Sequence, residues 1–97
     1  MIYSIDEIKR KSKNVFMNNK AVKEAYLFGS YAKSCASNES DIDIIAILDH
    51  KLDKHFFSLY PELESVFNKK IDIYCDSEVD PRFLNSIRKD FIKIYER

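Results

Sequence analysis

The sequence predicts a small α/β (α+β) domain, a sheet of about four strands with helices packed on it. Three observations carry that expectation. Segments with a helical apolar period alternate with short β-branched or aromatic runs along the whole chain. Ninety-seven residues suit one domain over residues 1–97, and no composition shift marks a second. Glycine occurs once, at position 29, where the first strand-like run stops.

Each element has its own warrant. "SIDEIKRKSKNVFMNN" opens with Ser4 and Glu7, the spacing of a capping box. Ile5, Ile8, Val15 and Phe16 then share a helical face that Ser12 interrupts, which predicts a helix over residues 5–18. "VKEAYLF" ends abruptly at Gly29 and reads as a strand over residues 22–28. "SYAKSCA" has the length of a short helix, and "SNES" after it is loop chemistry. "DIDIIAIL" is the most strand-like run and belongs near the sheet centre. "DKHFFSLYPELESVFNKK" is helical in period through Phe56, Phe57, Leu59, Leu63, Val66 and Phe67, and Pro61 places the helix start near itself. "KIDIYC" gives a third strand over residues 71–75. Asp80 as N-cap and Pro81 at the first helical position start another helix. "FIKIYE" alternates as a half-exposed last strand should. The order is α-β-α-β-α-β-α-β, with strand directions left open by the pattern.

Composition narrows the function. Sixteen basic residues balance sixteen acidic ones, which argues against a general nucleic-acid-binding surface. The absence of an apolar run of about 18 residues excludes a membrane-spanning helix. Charges from position 6 onward leave no signal-peptide core. These features point to a soluble cytoplasmic protein. Cys35 and Cys75 have no metal-ligand spacing and read as a reduced pair. His50 and His55 read as surface residues, Asp49 and Asp53 as loop acids, and Asp76, Glu78 and Asp80 as a solvated turn and cap. Lys9, Arg10, Lys11 and Lys13 are expected on the exposed face of the first helix.

The chemistry concentrates around the glycine. Gly29 ends a strand and Ser30 begins a short helix. A glycine at such a corner takes φ > 0 and lets an anion approach the backbone. The helix start adds unpaired N–H groups and Ser30 a hydroxyl, so the corner suits a phosphate. Asp41 and Asp43, two apart in a strand, point to one face. Their repulsion is relieved by a hard cation such as Mg²⁺, which takes oxygen ligands and keeps positions open for phosphate. Asp72 lies between Ile71 and Ile73 in the next strand and needs a partner there. It completes a three-carboxylate site if the two strands are neighbours, or it pairs with Lys69 or Lys70.

"GSYAKSCASNESDID" resembles the Gly-Ser, ten residues, Asp-x-Asp signature of the polymerase-β nucleotidyltransferase superfamily. The whole chain resembles that superfamily's minimal members, through this signature, "KKIDIY" and the closing "DPRFLNSIRKDFIKIYE". The resemblance implies a polymerase-β-like fold with a small mixed sheet. It implies that Gly29, Ser30 and Lys33 bind the triphosphate of ATP and that Asp41 and Asp43 ligate two Mg²⁺ ions, with Mn²⁺ as an alternative. Asp72 is then a third metal ligand that helps deprotonate the acceptor hydroxyl. The implied reaction is protein adenylylation (AMPylation) with release of pyrophosphate. Many minimal members are antitoxins paired with a HEPN-domain toxin, and some adenylylate a tyrosine of it. The family commonly has Arg-Gly where this chain has Lys33-Ser34. Lys33 keeps the charge without the bidentate fork of Arg. The competing reading is a non-catalytic antitoxin that masks its partner's surface. Tyr3, Tyr26, Tyr31, Tyr60, Tyr74 and Tyr95 read as core or interface aromatics, and Tyr31, next to Ser30, is also a candidate for touching the nucleotide base. A small domain with an edge strand and many aromatics also suits oligomer or partner contacts.

Overall fold

The computed structural model describes residues 2–49 and 56–97. His50, Asp53 and His55 lie outside the described residues. Helix α1, Ile5–Met17, starts with the expected capping box: Ser4 accepts from the Glu7 N–H while the Glu7 side chain accepts from the Ser4 N–H. Ser12, the break in its apolar stripe, is buried because its hydroxyl donates to the Ile8 carbonyl at 2.6 Å. Strand β1 is Val22–Phe28 and β2 is Ile42–Leu48. Between them α2, Gly29–Ala32, is shorter than expected. Ser34 enters the left-handed region at φ 61° and turns the chain out of the helix.

A 3₁₀ turn over Phe56–Ser58 leads into α3, Leu59–Phe67. Pro61 sits in its first turn, where a missing N–H costs nothing. Phe57 and Val66, expected on the apolar face, stay exposed. Strand β3 is Ile71–Cys75, α4 is Pro81–Ile87 capped by Asp80, and β4 is Ile92–Glu96.

The strands form one sheet in the order β3-β2-β1-β4. β2 and β3 run parallel, while β1 pairs antiparallel with both β2 and β4, so the sheet is mixed. "DIDIIAIL" is central, as expected. One face carries Ala25, Leu27, Ile42, Ile44, Ile71, Ile73 and Ile94 and packs on Ile8, Val15 and Phe16 of α1 and Leu59, Leu63 and Phe67 of α3. Tyr3 ties the two helices' ends together, donating to the Phe67 carbonyl at 2.6 Å.

The opposite face is covered only in part. Phe28 and Ile45 are buried there. Phe28 meets the rings of Tyr74, Phe83 and Phe91, while Tyr26 stacks on Phe91. Burial on both faces explains why β2 is nearly continuous in apolar residues. α4 buries no residue fully, so this face keeps open ground beside the aromatic cluster. Cys35 is exposed, Cys75 is buried and both are free. No helix among the described residues is long and apolar enough to cross a membrane.

Candidate active site

The open face gathers the chemistry by strand register. Antiparallel pairing sets Phe28 opposite Asp43, which brings Gly29 alongside that carboxylate. Parallel pairing sets Asp43 opposite Asp72. Gly29 has φ +72°, and a Cβ built on it would overlap Asp43 Oδ2 and stand 3.1 Å from its Cγ. The single glycine is thus required twice, by its backbone and by the acid packed against it. The anion that approaches this backbone in the structure is a carboxylate of the chain itself.

Asp43 is half-buried, and its carboxyl is pushed up to about 6 from the usual 3.8. Burial is the main cause, followed by the charges of Asp72 and Asp41 and a hydrogen bond with Asp72; Lys70 works the other way. Asp41 stands just before β2. Lys70 Nζ lies 3.7 Å from Asp41 Oδ2 and 3.9 Å from Asp72 Oδ1, so an ammonium spans two of the three acids. No three His, Cys, Asp or Glu among the described residues are drawn close enough to hold a metal ion together. The expected three-carboxylate grouping therefore takes another form here: Asp43 and Asp72 adjoin, and Asp41 is joined to Asp72 through Lys70.

A hard divalent cation still suits these residues chemically. They offer only carboxylate oxygens, and they hold like charges together in a partly desolvated place that ionised Asp43 resists. Ser30 is half-buried in α2, next to the glycine. Lys33 caps the other end of that helix with its side chain mostly exposed, 3.9 Å from Asp90. Ser34 supplies the positive φ at the position where the family commonly has glycine.

Other expectations are corrected or upheld. Tyr31 is 4% exposed and packed in the main core, which agrees with its reading as a core aromatic and overturns the alternative that it touches a base. Its neighbour Ser30 faces elsewhere because a helical step turns about 100°. Asp76 is half-buried rather than a solvated turn acid, and accepts from the Leu48 N–H at 3.3 Å. Asp49 is the loop acid expected, exposed in the bend after β2, and it pairs with Arg97. Two features of the site escaped the sequence. Lys70, expected only as a partner of Asp72, reaches Asp41 as well. Tyr74, expected as a core or interface aromatic, is 41% exposed and forms an aromatic wall with Phe83, 40% exposed. A signal existed for Tyr74, which follows Asp72 by two in a strand and so shares its face.

Comparison with known proteins defines the class. The family described as "Polymerase beta, Nucleotidyltransferase" matches residues 10–97. The chain belongs to this family and is a nucleotidyltransferase enzyme by that membership. A Methanocaldococcus jannaschii protein named "Putative protein adenylyltransferase MJ1379" is 33% identical over 94 residues, covering 93% of this chain and 94% of the relative. Among solved structures, a toxin-antitoxin crystallised with AMP-PNP superposes with a TM-score of 0.80 at 21% identity, covering 92% of this chain and 73% of that one. A tri-AMPylated Shewanella oneidensis HEPN toxin in complex with MNT antitoxin gives 0.65 at 18% identity, covering 92% and 73%. At these identities the structural likeness establishes the fold.

Proposed function

We propose that the chain transfers AMP from ATP to a tyrosine hydroxyl of a HEPN-domain partner, releasing pyrophosphate in the cytoplasm, and thereby acts as an antitoxin. The observation that supports this reading most is the meeting of Asp43, Asp72 and the Gly29 corner on one open face. The named activity of the curated relatives supports adenylyl transfer. The toxin-antitoxin structures support the kind of partner.

In this reading Asp41, Asp43 and Asp72 hold Mg²⁺, which when bound stabilises charge on the attacking and leaving oxygens. The Gly29–Ser30 corner and Lys33 position the triphosphate. Asp72 receives the acceptor proton as the acceptor oxygen bonds to the α-phosphorus. The bond from that phosphorus to the bridging oxygen breaks, and pyrophosphate leaves with the electron pair. The protein's share is placement and charge.

The test is incubation with a purified HEPN-domain partner, Mg²⁺ and α-³²P-labelled ATP. Label is expected on the partner, on tyrosine, and is expected to vanish with Asp41→Asn/Asp43→Asn. An unlabelled partner that the double variant still binds and neutralises would replace this reading with surface masking.

A further inference from the structure

Lys69 and Lys70 follow Asn68, which ends α3 in the left-handed region at φ 49° and ψ 46°. Lys69 Nζ donates to the carbonyls of Asn38 at 2.7 Å and Ser40 at 2.9 Å. It therefore fixes the backbone of the loop that delivers Asp41. Lys70 turns instead to the carboxylates, reaching Asp41 and Asp72 at 3.7 and 3.9 Å. Its side chain is 66% exposed, so packing does not hold it there. Charge does, because the carboxylates of Asp41 and Asp72 both lie beside its ammonium.

We propose that Lys70 is a built-in counter-ion of the carboxylate site, which holds Asp41 and Asp72 together before a divalent ion binds and competes with that ion for both. The inference rests on the proposed role of these acids as metal ligands. An ammonium brings one charge on a flexible stem, whereas a divalent cation brings two and gathers oxygens closely around itself. Both cannot occupy the same oxygens, since like charges at that separation repel. Lys70 moves aside without backbone movement, because its head is in solvent and its stem is long. The site is thereby kept from collapsing or splaying apart when empty of metal. The same competition weakens binding of the ion alone and favours its arrival with a nucleotide, whose phosphate oxygens add ligands.

The experiment titrates Mn²⁺ calorimetrically into the wild-type chain, Lys70→Met and Lys70→Arg, and melts all three in EDTA. Lys70→Met is expected to bind Mn²⁺ about threefold to tenfold tighter at low ionic strength. It is also expected to melt below wild type in EDTA and to regain the difference in saturating Mn²⁺. Lys70→Arg should stay near wild type in both. Equal or weaker Mn²⁺ affinity for Lys70→Met, with unchanged melting in EDTA, overturns the proposal while leaving the metal site standing. Failure of all three chains to bind Mn²⁺ overturns the metal-site reading and this inference with it.

Discussion

At position 29 a backbone constraint and a packing constraint coincide: φ is +72°, and Asp43 Oδ2 fills the space of a side chain. Gly29→Ala is expected to cost about 1–2 kcal/mol from the left-handed backbone alone, with a further cost from moving Asp43. Urea denaturation checks this. Ser34 shows the converse, because it takes φ 61° without being glycine. Ser34→Gly should stabilise the chain by about 0.5–1 kcal/mol, the relieved strain less the entropy glycine adds to the unfolded state. Asp43 makes stability depend on pH. Its carboxyl, at about 6 against the usual 3.8, keeps its proton in the folded chain where the unfolded chain has lost it. The folded state binds more protons between about pH 4 and 6, so stability falls as pH rises through that window. Melting temperatures measured without metal should show the fall, and Asp43→Asn should flatten it.

Strands and helices bring these residues to one place. Sequence period and capping chemistry locate β1 and β3 to the residue, and they locate the starts of α1 and α4, because Ser4, Glu7, Asp80 and Pro81 are local signals. The end of α2 was not legible, since a serine in the left-handed region leaves no mark in the sequence. Nor was the contact of Gly29 with Asp43, which depends on the antiparallel register between β1 and β2. The parallel pairing of Asp43 with Asp72 was anticipated only as a condition, that the two strands be neighbours. The reach of Lys70 to Asp41 depends on the left-handed Asn68 and on that same pairing. Lys69 offers a test at this scale. Lys69→Met removes the donors to Asn38 and Ser40, and backbone amides of residues 38–41 should exchange hydrogen faster while those of β2 stay protected.

Across the whole molecule the sheet divides its labour between faces. α1 and α3 close one face and share the main apolar core with the strands beneath them. The other face carries a smaller aromatic cluster, a lightly packed α4 and the acids beside Gly29. A four-stranded sheet with one closed face can leave the other for chemistry, at the cost of exposed Tyr74 and Phe83. The central claim is that the open face binds a nucleotide through its carboxylates and a divalent ion. Calorimetric titration of a non-hydrolysable ATP analogue, with Mg²⁺ and then with EDTA, tests it without a partner protein. The wild-type chain should bind at least about tenfold more tightly in Mg²⁺ than in EDTA, and Asp43→Asn/Asp72→Asn should lose that difference. Equal affinity for wild type and double variant, in Mg²⁺ and in EDTA alike, would contradict the account.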